Sequence, residues 1–85
     1  MNISKHEQRV LHVLAQGGYI RHFREGSRKV HEVICSTRDG SVLSDCSLGV
    51  FKRLKRRKLI KSEGGEPYLI TYLGRCAVRP QLDNR

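Results

Sequence analysis

The sequence lacks the features that mark membrane, secreted and disulfide-stabilised proteins. No apolar run approaches the roughly 20 residues that a membrane-spanning helix needs. The opening stretch, Met1 to Glu7, has no apolar segment typical of a secretory signal. The three cysteines are an odd number without close spacing, so they do not form a disulfide framework. We therefore expect a cytoplasmic protein without membrane association.

Motifs of enzymes and metal sites are missing as well. The chain has no phosphate-binding loop, no dinucleotide-binding glycine pattern and no nucleophile elbow. His31 and Cys35 share a strand face but are too far apart to chelate one zinc ion. A Cys/His nucleophilic pair would lack an oxyanion hole and an orienting third group. The sequence therefore predicts no enzyme, no cofactor, no metal and no small-molecule substrate, so function has to be sought in binding.

Acidic residues are scarce, and the resulting charge is the first positive indication of a partner. The 85 residues contain 17 Lys and Arg against 8 Asp and Glu, which gives a net charge of +9. Apolar residues interleave with the basic ones, so the chain is not a disordered polycation. Such a charge predicts attraction to nucleic acid, to an anionic membrane or to an acidic protein. The length suits a single small domain over residues 1–85, in which we expect residues 79–85 to form a frayed tail.

The N-terminal segment has the pattern of a capped amphipathic helix. Ser4 and Glu7 have the spacing of a capping box, in which each side chain accepts a hydrogen bond from the other residue's amide. An apolar stripe follows at helical spacing, and Gly17 can adopt the left-handed conformation that ends a helix. These features predict a helix from Lys5 to Gln16.

A β-hairpin is predicted next, from strands at Tyr19–Arg24 and Arg28–Thr37. Strict alternation in the second strand places His31, Val33 and Cys35 on one face. On the other face it places Val30, Glu32 and Ile34. Turns are predicted at Glu25–Ser27, Asp39–Gly40 and Glu63–Pro67.

The C-terminal half predicts a basic helix followed by a two-stranded wing. The elements are a short strand at Ser41–Leu43, a helix at Leu48–Arg57 capped by Asp45 or Ser47, strands at Leu59–Ser62 and Tyr68–Thr71, and a helix at Tyr72–Val78 capped by Thr71. This order predicts an α+β, winged-helix-like domain: helix, β-hairpin, basic helix, β-wing and short C-terminal helix. One core is expected from Leu11, Leu14, Val50, Phe51, Leu54, Ile60 and Tyr68.

The densest positive charge lies on the basic helix and the start of the wing. Seven of the ten residues from Lys52 to Lys61 are Lys or Arg, and no acidic residue within this run could pair with them at helical spacing. A solvated helix face is the plain alternative, but repulsion between like charges indicates an anionic partner. We predict that this partner contacts Lys52, Arg53, Lys55, Arg56, Arg57, Lys58 and Lys61. Glu63 and Glu66 at the wing tip disfavour simple binding to duplex DNA.

Nearly the whole chain resembles the small bacterial YjhX-type toxins. The similarity is carried by Gln8–Gly18, Asp45–Ser62, Pro67–Thr71 and the closing Gln-Leu-Asp-Asn-Arg. This resemblance implies a toxin that binds DNA topoisomerase I, keeps it from engaging DNA, and is paired with an acetyltransferase-like antitoxin. It supplies no catalytic motif and no binding residue for this chain.

The charge limits how such an inhibitor could act. A mimic of DNA would have to be acidic, and this chain is basic. The basic helix could instead dock on an acidic surface of the topoisomerase, bind the DNA itself, or do both. The alternative function is a winged-helix DNA-binding transcriptional regulator. Against it, the hairpin at 19–37 occupies the place of the second helix of a winged helix, so the usual insertion into the major groove is in doubt.

Overall fold

The chain forms three helices and two antiparallel sheets among the residues that the computed structural model describes, which are 3–24, 29–44 and 46–78. The predicted α+β class is confirmed. The predicted turn at Glu25–Ser27, the alternative cap Asp45 and the tail at 79–85 lie outside these ranges. The elements are α1 (Lys5–Ala15), β1 (Tyr19–Arg24), β2 (Val30–Ser36), β3 (Val42–Leu43), α2 (Leu48–Arg56), β4 (Ile60–Lys61), β5 (Leu69–Ile70) and α3 (Tyr72–Ala77).

Helix α1 begins at the predicted capping box. The Ser4 hydroxyl accepts a hydrogen bond from the Glu7 amide at 3.1 Å, and the Glu7 carboxylate accepts one from the Ser4 amide at 2.8 Å. The helix ends at Ala15, one residue earlier than predicted. Gly17 follows with φ +102°, the left-handed conformation expected of it.

Strands β1, β2 and β3 form one antiparallel sheet in chain order. The register between β1 and β2 shifts between Phe23 and Arg24, which leaves His31 as the extra residue of a bulge. The bulge interrupts the alternation that placed Val30 on the face opposite Cys35. That prediction is wrong, because both side chains are buried in the same core.

Strands β4 and β5 form a short hairpin, which is the wing. Each strand has two residues, fewer than the sequence predicted. Just before β5, Tyr68 exchanges two backbone hydrogen bonds with Ile20 of β1, with N–O distances of 2.8 and 3.0 Å. The wing is therefore tied to the first sheet.

Helix α3 packs closely on the wing. Thr71 caps it by accepting a hydrogen bond from the Gly74 amide at 2.9 Å, as predicted. A Cβ atom on Gly74 would lie 2.3 Å from the Leu59 carbonyl oxygen, so only glycine fits at this contact.

No helix among the described residues is long and apolar enough to cross a bilayer.

The helices and both sheets share one hydrophobic core. All seven predicted core residues belong to it. The buried apolar residues are Val10, Leu11, Leu14, Ile20, Val30, Cys35, Cys46, Val50, Phe51, Leu54, Leu59, Ile60 and Tyr68.

Candidate partner-binding surface

Helix α2 separates its apolar and basic residues onto opposite sides. Its N-cap is Ser47, whose hydroxyl accepts a hydrogen bond from the Val50 amide at 3.2 Å. Val50, Phe51 and Leu54 are buried, as the apolar spacing predicted. The basic residues of the helix therefore lie at the surface.

The side chains of three predicted residues lie at the surface without a partner in the described part of the chain. Lys52, Arg56 and Lys58 are exposed, and their side chains form no hydrogen bond or ion pair with any residue that the structure describes. Lys52 and Arg56 are one helical turn apart, so they share one face of α2. We call these three residues the open basic surface.

Two other predicted residues are held by an acidic residue from α1. Arg53 Nε donates a hydrogen bond to Glu7 Oε2 at 2.9 Å, and Arg57 Nη1 lies 3.7 Å from Glu7 Oε1. The absence of an acidic residue within the basic run therefore does not leave these arginines unpaired. Their partner is 46 positions away from Arg53 in the sequence, outside the basic run that the sequence analysis considered.

The remaining two predicted residues, Lys55 and Lys61, also have neighbours within the protein. The Lys55 ammonium lies 6.0 Å from the centre of the Tyr68 ring, within the range of a cation–π contact. Tyr68 packs edge-on against Phe51, with ring centres 4.9 Å apart. Lys61 Nζ is 3.0 Å from a carboxylate oxygen of Glu63, and both side chains are well exposed, so this ion pair is weak.

Glu7 is buried although it carries a charge, because three groups compensate it. Its side chain is 2% exposed and contacts the Ser4 amide and two arginines. Burial raises the pKa of Glu7, but the hydrogen bonds from Ser4 and Arg53 outweigh this effect and lower the pKa below its usual 4.5. Glu7 thus stays ionised and links the start of α1 to the basic helix.

We expect the stabilisation from Glu7 to disappear in acid. The carboxyl group binds a proton more readily in the unfolded chain, so its contribution is complete above about pH 4.5 and falls as the pH drops through the lower folded-state pKa. Urea unfolding of the wild type and Glu7→Gln measures this contribution as the difference between their free energies of unfolding. The difference should shrink between about pH 5 and pH 3. A difference that is constant over this range would contradict the assignment.

The outer side of the wing and α3 carries an exposed apolar groove. Tyr72 is 83% exposed and Leu69 55% exposed, and Leu73 is also largely accessible. The groove has a volume of about 570 Å³ and is lined in part by Pro67, Leu69, Ile70 and Tyr72, with Glu63 and Glu66 among its polar residues. Apolar side chains beside carboxylates suit contact with a protein rather than with phosphates.

The cysteines do not form a chelating site. Cys35 and Cys46 are buried, whereas Cys76 is exposed. The described part of the chain contains no cluster of three or more His, Cys, Asp or Glu residues that could bind a metal ion.

Two features of the candidate surface were not predicted, although the sequence contained a sign of each. Glu7 precedes Val10, Leu11 and Leu14 by three, four and seven positions, so it lies on the buried stripe of α1. An acidic residue at such a position needs a cationic partner. The groove could have been found at Leu69 and its neighbours, because consecutive apolar residues in a strand cannot all face the core.

Comparison with known proteins gives a match over the entire chain. A family model described as "Putative toxin of bacterial toxin-antitoxin pair", YjhX_toxin, matches residues 1–85. UPF0386 proteins from Beijerinckia indica subsp. indica and Brucella anthropi are each 59% identical, with both chains covered in full. A UPF0386 protein from Rhodospirillum rubrum is 56% identical over this whole chain and 94% of its own. No solved structure gives a significant match. The chain belongs to the YjhX toxin family of bacterial toxin–antitoxin pairs.

Proposed function

We propose that this protein is a cytoplasmic, non-enzymatic toxin that binds bacterial DNA topoisomerase I and keeps it from engaging DNA. Membership of a toxin family is the observation that carries the proposal, and the family implies an antitoxin as a second partner. The resemblance described above suggests the topoisomerase as target and an acetyltransferase-like protein as antitoxin.

The proposed contact is the open basic surface, docked on an acidic region of the topoisomerase. Lys52, Arg56 and Lys58 are exposed and have no competing carboxylate among the described residues. Arg53, Arg57, Lys55 and Lys61 surround them and add to the positive potential. This arrangement attracts an acidic protein surface and accelerates the encounter with it.

A protein target fits the molecule better than duplex DNA does. Two arginines of the basic helix already hold Glu7, which reduces what they can offer to phosphates. The wing has Glu63 and Glu66 where a DNA-binding wing would carry cations, and an apolar groove lies beside them. DNA-binding transcriptional regulation is therefore the second candidate, supported mainly by the net charge of +9.

A relaxation assay distinguishes these functions. We expect the protein to inhibit the relaxation of negatively supercoiled DNA at amounts near one molecule per topoisomerase. Coating of the DNA would instead require protein in proportion to the DNA, and would equally slow an unrelated restriction nuclease. The assay therefore varies enzyme and DNA separately and includes the nuclease as a control. Inhibition that follows the DNA concentration, and that extends to the nuclease, would refute the proposed mechanism.

A further inference from the structure

Helices α1 and α2 end in the same C-terminal capping motif, but different residue types occupy the left-handed position of that motif. At the end of α1, the Gly17 amide donates to the Leu14 carbonyl and the Gly18 amide to the Val13 carbonyl, both at 3.1 Å. These two hydrogen bonds define the Schellman motif, whose turning residue is left-handed. Here that residue is Gly17.

Helix α2 ends with the same pair of hydrogen bonds around a lysine. The Lys58 amide donates to the Lys55 carbonyl and the Leu59 amide to the Leu54 carbonyl, both at 3.0 Å. Lys58 has φ +62°. The other described residues with positive φ are all glycines: Gly17, Gly40, Gly64 and Gly65. Lys58 is the exception, in a conformation that crowds its Cβ atom and that glycine adopts without this penalty.

The fold does not explain why this residue is a lysine. Its carbonyl accepts a hydrogen bond from the Thr71 hydroxyl at 2.9 Å, but any residue could supply that carbonyl. Its side chain is exposed and forms no hydrogen bond or ion pair with the described residues. A cation near a helix C-terminus is favourable, but Lys55, Arg56 and Arg57 already provide that charge. A further positive charge mainly adds repulsion.

We propose that Lys58 makes a direct contact in the proposed interface, through an ion pair between its ammonium group and a carboxylate of the target enzyme. This inference rests on the proposed function and names one residue on which target binding depends. The left-handed backbone fixes the direction in which the side chain leaves the junction between α2 and the wing. Backbone strain that persists at a binding surface is a common sign of function.

The test measures thermal stability and target binding separately. Lys58→Gly should raise the melting temperature by roughly 4 °C, because glycine relieves the strain. It should also weaken binding to purified bacterial topoisomerase I, without DNA, by about tenfold, because a charge-assisted contact is lost. The Lys58→Asn variant can adopt the left-handed backbone conformation but lacks the positive charge, so it should also bind weakly. Lys58→Arg keeps the charge and should retain most of the binding.

A matched control separates this contact from a general loss of charge. Lys5 is an exposed lysine in the first turn of α1, and Lys5→Gln changes the net charge by the same amount as Lys58→Gly. It should bind like the wild type. If Lys58→Gly lowers the melting temperature, or binds topoisomerase as tightly as the wild type does, the inference is wrong. If the wild type itself does not bind, the proposed function fails and the inference fails with it.

Discussion

Reversing the charge at Lys52 and Arg56 together is expected to weaken binding to the topoisomerase by at least about 100-fold. Each glutamate would remove an attraction and place a carboxylate against an acidic surface, and like-charge contacts across an interface cost several kcal/mol. Both side chains are exposed and form no hydrogen bond or ion pair with the described residues, so the fold should tolerate Lys52→Glu/Arg56→Glu. Calorimetric titration gives the affinity, and a thermal melt verifies folding.

Arg53 is left out of this variant because it has a structural partner. Its sequence position suggested a third contact on the same face, but its guanidinium is bonded to the buried Glu7. A glutamate there would face Glu7 and remove one of the three groups that compensate its buried charge, which is strongly destabilising. The loss of binding by an Arg53 variant could therefore reflect unfolding.

The matched control is Lys5→Glu/Arg21→Glu, which changes the net charge equally at exposed positions on α1 and β1. It should bind within a few-fold of the wild type. Affinity of the wild type should also fall as salt is added, because the contact is electrostatic. If the two double variants bind equally well, the interface lies elsewhere, and the apolar groove of the wing becomes the next surface to test.

Leu54→Ala is expected to destabilise the protein by about 2–5 kcal/mol. Leu54 is fully buried on α2 and packs in the single core that joins both sheets and the helices. Its truncation removes apolar contacts and leaves a cavity that the surrounding backbone can fill only in part. Small domains have only about 5–15 kcal/mol of total stability, so this loss threatens folding at physiological temperature.

The matched control for this substitution is Leu69→Ala, the same change at an exposed position. Leu69 is 55% exposed on β5, so its truncation should cost less than about 1 kcal/mol. Urea unfolding of both variants at neutral pH compares the two sites directly. Equal losses of stability would show that α2 does not pack as described, and the position of the basic surface would then be wrong too.

Much of the fold could be predicted because its determinants are local. The capping box at Ser4 and Glu7 and the apolar spacing of Val50, Phe51 and Leu54 lie within single helices, where period and capping identify them. The five predicted core residues on α1 and α2 followed from the same helical periodicity. The winged-helix-like arrangement stays a prediction, because no solved structure matches the chain.

The features that the sequence did not predict depend on contacts between distant segments. The bulge at His31 shifts Val30 into the core, and a bulge leaves no clear sign in the alternation of one strand. The Glu7–Arg53 pair joins residues from different helices. These contacts decide which cations of the basic run remain open to a partner. The basic run could therefore be proposed from the sequence as a binding surface, but which of its cations are paired within the protein could not be predicted.

The most direct test of the proposed function is whether this protein and purified bacterial topoisomerase I form a complex in the absence of DNA. Size-exclusion chromatography with light scattering, on nuclease-treated proteins, measures the mass of any complex. We predict that the wild-type protein and Lys5→Glu/Arg21→Glu co-elute with the topoisomerase, and that Lys52→Glu/Arg56→Glu does not. Separate elution of the wild-type toxin and the enzyme, with co-elution only when DNA is added, would contradict it.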